Sequence, residues 1–203
     1  TQAEDHPDRL ASQHELARVY QANGQVKEAV ELLKEVVRIR GQTQAEDHPD
    51  RLTSQHELAR VYQANGQVKK AVELLKEVVR IRGQTQAEDH PDRLASQHEL
   101  AGVYQANGQV KNAVELLENV VRIREQTLAE DHPSRLAAQH ELAGAYEANG
   151  QVKEAMKLLE EVVRIREQTL AEDHLDRLAS QHELARVYKA NGQVKEAVEL
   201  LKE

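Results

Sequence analysis

The sequence predicts an all-α protein, a right-handed α-solenoid in which antiparallel pairs of helices stack along the chain. Two observations predict this fold class: the chain repeats itself every 42 residues, and each repeat holds two helix-like apolar patterns separated by an Asn-Gly pair. A period between about 20 and 50 residues is typical of solenoids, propellers and arrays. The repeat contains no strand-like alternation, which favours the helical solenoid.

Five copies of the repeat account for the whole chain. We expect one repeat domain over 1–203, divided into repeats 1–42, 43–84, 85–126, 127–168 and 169–203, the last of them incomplete. Across the copies, 14 of the 42 positions vary and 28 do not. Because two short helices cannot bury both of their apolar stripes alone, neighbouring repeats are expected to complete the core.

The first half of each repeat has the pattern of an amphipathic helix. From Pro7 to Asn23, steps of about 100° per residue place an apolar set on one side and a polar set on the other. The apolar set is Leu10, Leu16, Ala17, Val19 and Tyr20, and the polar set is His14, Glu15, Arg18 and Gln21. Proline suits the first helical turn, and we expect Gly24 to end the helix in a left-handed conformation.

The second half of each repeat predicts a second helix, from Gln25 to about Gln42. Its apolar stripe consists of Val26, Ala29, Val30, Leu32, Leu33, Val36, Val37 and Ile39. This stripe is broad enough to contact two neighbours. A short polar link, Thr43 to His48, then leads to the next repeat.

Composition excludes several classes of function. The 203 residues carry a net charge of -8 and no basic segment, so neither nucleic acid nor an anionic membrane surface is an expected partner. The chain has no cysteine, and its histidine spacing matches no zinc motif. No nucleophile–base order or glycine-rich phosphate loop is present. We therefore expect a cytoplasmic protein that is not an enzyme and that holds no cofactor or metal.

Several residues of the repeat, taken with their spacing, resemble the sequence signature of a known family. Leu16, Ala17, Tyr20, Gly24, Ala29 and Leu33 resemble the signature of tetratricopeptide repeats. The longer strings Asp5-His6-Pro7 and Arg38-Ile39-Arg40 resemble the 42-residue repeats of kinesin light chains, and still more the near-identical arrays that end fungal NLR-type signalling proteins. The resemblance implies a scaffold for a protein or peptide, the recognition or regulatory arm of a larger protein. Kinesin light chains contact cargo through an Asn-Asn pair that is His14-Glu15 here, so that mode of recognition is not implied.

The polar side of the first helix is the candidate binding surface, because the resemblance implies that this side lines a concave groove. The candidate peptide-binding residues are His14, Arg18, Gln21, His56, Arg60, Gln63, His98, Gln105, His140, His182 and Arg186. An arginine fork together with a protonated histidine could clamp a carboxylate-rich peptide tail. The alternative is a solvated helix face with hydrogen bonds between repeats.

A glutamine and an arginine in each repeat fall inside the apolar arcs of their helices. They are Gln13, Arg40, Gln55, Arg82, Gln97, Arg124, Gln139, Arg166 and Gln181. A buried amide or guanidinium is costly unless it is paired. We therefore expect a repeated structural network, in which Arg40 pairs with Glu46 or Asp47 and Gln13 bonds to a neighbouring helix.

Two further questions stay open at the level of sequence. The copies differ at Arg18, Gln21, Glu28, Lys34 and Glu35, all expected to be exposed, through surface drift or through diversification of a groove. No polar capping helix covers the first or last repeat, so head-to-tail self-association is expected. The alternative to a binding scaffold is thus a structural spacer or self-association array without a ligand.

Overall fold

The computed structural model describes residues 5–202, and within that range the chain forms paired helices. In chain order the helices are α1 (Pro7–Ala22), α2 (Val26–Thr43), α3 (Pro49–Ala64), α4 (Val68–Thr85), α5 (Pro91–Ala106), α6 (Val110–Thr127), α7 (Pro133–Ala148), α8 (Val152–Thr169), α9 (Leu175–Ala190) and α10 (Val194–Leu200). Residues 5–202 contain no strand. The predicted all-α solenoid of two-helix repeats is therefore confirmed.

A histidine caps the start of every first helix. The capping residues are His6, His48, His90, His132 and His174. In each, Nδ1 accepts the backbone N–H two residues later, at 3.1–3.2 Å. The imidazole thereby satisfies one of the four amide donors that a helix start leaves unpaired. In the first four repeats proline follows directly and supplies the first helical residue without an amide hydrogen.

The turn between the two helices of a repeat depends on glycine. Gly24 has a φ of 77°, the left-handed conformation that residues with a Cβ rarely adopt. The amide of Gln25 then donates to the carbonyl of Tyr20 at 2.8 Å, which closes the end of α1. The predicted glycine stop is confirmed.

The contacts between helices divide the chain into two compact halves, and within each half helices that are consecutive in the chain pack against each other. The N-terminal half extends to Asn107, and the C-terminal half begins at Gly108. Within the N-terminal half the pairs α1–α2, α2–α3, α3–α4 and α4–α5 are in contact. Within the C-terminal half the pairs α6–α7, α7–α8, α8–α9 and α9–α10 are in contact. First and second helices thus alternate in each half.

The core consists of the predicted apolar positions, and its filling depends on the neighbouring repeat. In α3, Leu58 and Val61 are 4% and 1% exposed, because α2 packs against this helix. Their counterparts in α1, Leu16 and Val19, are 42% and 61% exposed. Leu16 and Val19 therefore occupy positions that are buried in the second repeat, as the apolar pattern predicts. In the first repeat the same positions are exposed.

None of the helices described here is both long enough and apolar enough to cross a lipid bilayer.

Candidate functional site

The candidate binding surface is the polar side of the first helices, which we call the first-helix face. Its arginines, Arg18, Arg60 and Arg186, are exposed, and its glutamines, Gln21, Gln63 and Gln105, are half-buried. Its histidines His14, His56, His98 and His140 are half-buried, whereas His182 is exposed. The arginine side chains of this face are therefore exposed to solvent, and four of its five histidines are half-buried.

Each of these arginines is engaged by glutamates of the same face. Arg18 donates from Nη1 to Oε1 of Glu15, one turn earlier in α1, at 3.2 Å. Arg60 lies 3.4 Å from Glu57 in its own helix and 3.8 Å from Glu99 in α5, measured between guanidinium nitrogens and carboxylate oxygens. The face of the N-terminal half thus carries alternating charges that link one first helix to the next.

Arg186 makes the corresponding links in the C-terminal half. Its Nη1 donates to Oε1 of Glu147 in α7 at 2.6 Å, and its Nη2 donates to Glu183 in α9. An acidic peptide must displace these glutamates before it reaches an arginine. The side chain of Arg186 is 54% exposed, whereas the side chain of Glu147 is 15% exposed, so a ligand that displaces Glu147 leaves a partly buried carboxylate without its partner.

Glycine replaces the arginine in repeats 3 and 4, at Gly102 and Gly144. A Cβ at Gly102 would have no heavy atom within 4 Å, and a Cβ at Gly144 would meet only Oε1 of Glu183, at 4.0 Å. The first-helix face is therefore open at both positions.

Three of the half-buried histidines, His14, His56 and His140, are poorly placed to supply the second positive charge that a carboxylate clamp was expected to use. Burial lowers the pKa of His14, His56 and His140 below the ordinary value of 6.5, and a nearby arginine lowers the pKa of each further. A lowered pKa leaves these three imidazoles mostly neutral at pH 7, so they add little positive charge to this face at that pH.

The arginines of the predicted network, Arg40, Arg82, Arg124 and Arg166, bond to backbone rather than to the link carboxylates. Arg40 is 8% exposed, and its Nη1 donates to the carbonyl oxygen of Asp50 at 2.6 Å. The expected partners Glu46 and Asp47 are therefore a wrong prediction. Glu46 accepts instead from Nη2 of Arg80 at 2.7 Å.

The same arginine contact recurs along the chain. Arg82 donates to the carbonyl of Asp92 at 2.7 Å, and Arg166 donates to that of Asp176 at 2.8 Å. Arg124 donates to the carbonyl of Ser134 at 2.7 Å. Each guanidinium thus connects the second helix of one repeat to the first turn of the first helix in the next repeat. The acceptor is in each case the carbonyl of the second residue of that helix.

The glutamines of the network have different surroundings in different repeats. Gln139 and Gln181 are buried, and their Nε2 atoms donate to Glu125 and Glu167 of the preceding second helix, each at 3.0 Å. Gln55 and Gln97 are also buried, and Gln13 is half-buried. Where repeats 3 and 4 carry Glu125 and Glu167, repeats 1 and 2 carry Gly41 and Gly83, so the carboxylate that Gln139 and Gln181 bond is absent from that position before Gln55.

A cleft around the repeat tyrosine is a feature that the sequence analysis missed. In the C-terminal half this cleft has a volume of about 490 Å³ between α6, α7 and α8. Tyr146 donates from Oη to Oε1 of Glu118 at 2.8 Å, and burial together with this bond raises the pKa of the tyrosine to about 12. The equivalent Tyr62 faces Lys34 instead. Glu118 occupies the position of Lys34 in the repeat. The variation between lysine and glutamate at that position was the one sequence feature that could have indicated this cleft.

No group of histidine, aspartate and glutamate side chains within residues 5–202 is arranged to hold a metal ion.

The sequence matches the tetratricopeptide repeat family over residues 3–84, 92–168 and 135–203. A search of curated protein sequences finds no significant match.

Solved structures give a consistent picture of the fold. The nearly identical TPR-like repeats of a kinesin light chain-like protein from Podospora anserina are 67% identical, with a TM-score of 0.90 over 97% of this chain and 93% of that chain. A point variant of the same repeats is 66% identical, with a TM-score of 0.91 and the same coverage. BtubC (BKLC) from P. vanneervenii is 21% identical, with a TM-score of 0.82 over 97% of this chain and 80% of that chain, and it supports the fold alone.

Proposed function

Because the chain belongs to the tetratricopeptide repeat family, we propose that it is a non-catalytic scaffold that binds a protein or peptide on its first-helix face. Repeats of this family generally mediate protein–protein interactions. We further propose that its five repeats act as one repeat domain, the recognition or regulatory arm of a larger cytoplasmic signalling protein of the fungal NLR-like kind. A net charge of -8 argues against nucleic acid as the partner.

The exposed ion-pair ladder of the first-helix face is the observation that carries this proposal. Arg60 and Arg186 each contact glutamates on two helices, and each lies about half exposed. A partner carboxylate can take the place of one glutamate without leaving either guanidinium unpaired. The planar fork of arginine favours such an exchange, because two parallel bonds to a carboxylate fix both position and orientation.

The direct test is binding of a panel of acidic C-terminal peptides to the immobilised full chain. For any peptide that binds, Arg60→Ala and Arg186→Ala are each expected to weaken affinity by roughly tenfold, the loss of about one charge-assisted hydrogen bond. The affinities are measured by surface plasmon resonance or fluorescence anisotropy.

Arg80→Ala provides the matched control. Arg80 is exposed and paired with Glu77 and Glu46, but it lies on a second helix, away from the first-helix face. If Arg80→Ala weakens binding as much as Arg60→Ala, the effect is one of overall charge. If no acidic peptide binds, the clamp is excluded.

Self-association is a second candidate function, and a specific pair of surfaces favours it. In the C-terminal half, Leu184 and Val187 of α9 pack on Ala143, Ala155 and Leu159 of α7 and α8. The residues at the same repeat positions in α1, Leu16 and Val19, are exposed. Val194, Val198 and Leu201, which occupy the positions of Val152, Met156 and Leu159, are also exposed. The exposed surfaces of α1 and α10 therefore correspond to the two surfaces that pack together between α9 and the α7–α8 pair inside the chain.

Two variants test this candidate. Val19→Glu places a charge on the α1 surface, and Val198→Glu places one on the α10 surface. We expect the mass of the wild-type chain to rise with concentration in sedimentation velocity, each variant alone to stay monomeric, and a mixture of the two to form a 1:1 complex through the intact pair of surfaces. A wild-type chain that stays monomeric at the highest attainable concentration would exclude self-association.

A further inference from the structure

The contact between consecutive repeats contains a buried arginine, and the first helix of the same repeat carries a half-buried histidine within the electrostatic influence of that arginine. Arg82 in α4 is 5% exposed, and its Nη1 donates to the carbonyl of Asp92 in α5 at 2.7 Å. Its Nη2 lies 4.0 Å from Oδ2 of the same aspartate, and its buried Nε has no hydrogen-bond partner. We call this contact between consecutive repeats a joint. Within it, the charge of the Arg82 guanidinium is compensated largely by one backbone carbonyl and by one carboxylate 4.0 Å away.

The charge of this arginine acts on His56 of α3, which is half-buried. The Nε2 atom of His56 is buried and has no hydrogen-bond partner, so a proton on that nitrogen would have no acceptor. The charged groups that act on it are Arg82 of α4, Asp92 of α5, and Glu57 and Arg60 of its own helix. Protonation of His56 would place a second positive charge next to the buried guanidinium.

Two other contacts between consecutive repeats combine a half-buried histidine with a buried arginine in the same way. His14 is acted on by Glu57 of α3, by Arg40 of α2, and by Glu15 and Arg18 of its own helix. His140 is acted on by Arg166 of α8, by Glu183 and Asp176 of α9, and by Glu141 of its own helix. In both, the arginine is buried and donates to the first turn of the next first helix, as Arg82 does.

We propose that these histidine–arginine pairs make the joints between repeats acid-sensitive, so that mild acid weakens the packing of one repeat on the next. The arginine that the new charge repels is the residue that ties the two repeats together.

The direction of the pH dependence follows from the folded-state environment. Burial, the first cause, lowers the pKa of all three histidines relative to 6.5, and the neighbouring arginine lowers it again, while the carboxylates raise it. An opened joint exposes the imidazole, which then binds a proton at its ordinary pKa. The closed joint is therefore fully stable above about pH 6.5 and loses stability as the pH falls below that value.

The test compares urea unfolding of the full chain at about pH 7.5 and about pH 5.5, a range in which histidines titrate and most carboxylates stay ionised. The variant replaces three residues, His14→Gln, His56→Gln and His140→Gln, by a neutral polar side chain. We expect the urea midpoint of the wild-type chain to fall on acidification and the fall to shrink by at least half in the triple variant. Between these two pH values the opening equilibrium can rise by at most roughly tenfold for each histidine, because pH 5.5 lies about one unit below the ordinary pKa of an imidazole.

His182→Gln is the matched control, because His182 holds the same repeat position and is exposed. Its pH dependence should equal that of the wild-type chain. Should the triple variant fail to fold, His56→Gln alone is compared with His182→Gln by hydrogen exchange at the two pH values. The proposal is overturned if the wild-type midpoint does not fall, or if the histidine-to-glutamine variants lose as much stability on acidification as the wild-type chain.

Discussion

Replacement of Leu75 by alanine is expected to lower the free energy of unfolding by about 2–5 kcal/mol, the range for a leucine whose removal leaves a cavity in a packed core. Leu75 is 0% exposed, in the second helix of repeat 2, and both flanking first helices contact that helix. The surrounding side chains are held by α3 and α5, so they can fill the space only in part. Chemical denaturation followed by circular dichroism measures the loss.

The chain contains its own control for this substitution. Leu201 holds the same repeat position in repeat 5, directly after the end of α10, and is 54% exposed. Leu201→Ala should therefore change stability by less than about 1 kcal/mol, as expected for a surface site. Equal losses at the two positions would show that position within the repeat, rather than burial by neighbouring repeats, determines the contribution.

Replacement of Arg82 by alanine is expected to cost about 2–4 kcal/mol, from the lost charged hydrogen bond and from the lost packing of the side-chain stem. The substitution also leaves the carbonyl of Asp92 without its arginine donor. That carbonyl still accepts a hydrogen bond from Oγ of Ser96, at 3.0 Å. Because the contact joins repeat 2 to repeat 3, hydrogen exchange should accelerate first in α4 and α5.

Arg82→Met and Arg80→Ala separate the causes of this loss. Methionine keeps an apolar stem of similar length, so Arg82→Met should recover the packing component and retain the hydrogen-bond component. Arg80 is exposed two residues earlier in the same helix, where it pairs with Glu77, and its replacement should have a small effect. An Arg80→Ala loss as large as that of Arg82→Ala would mean that the backbone contact does not stabilise the joint.

The helices were predictable because their determinants are local. The glycine at the end of α1 is identifiable from sequence, since few other residues adopt a φ near 77°. The histidine caps were missed, although the same residue precedes every first helix. Asn, Asp, Ser and Thr are the usual caps, and an imidazole in that role is recognised only when the geometry of Nδ1 is known.

The location of the candidate site stays a prediction, which the family resemblance supplied, and its electrostatics were not predictable. The periodicity of the first helix indicates only which residues share its polar side. The engagement of Arg60 by Glu99 and of Arg186 by Glu147 depends on which residues of adjacent first helices meet. The half-burial that keeps His56 neutral depends in the same way on the helices packed around it.

The sequence by itself determined the repeat length, the two helices in each repeat, their turn and the residues that form each apolar stripe, because these properties arise from contacts within a few residues. Only the tertiary structure decided which copy of a residue is buried. Leu16 and Leu58 occupy the same position in nearly the same repeat, yet one is 42% exposed and the other 4%. Burial in a solenoid is a property of the adjacent helix, so identical sequences acquire different environments and different energetic roles.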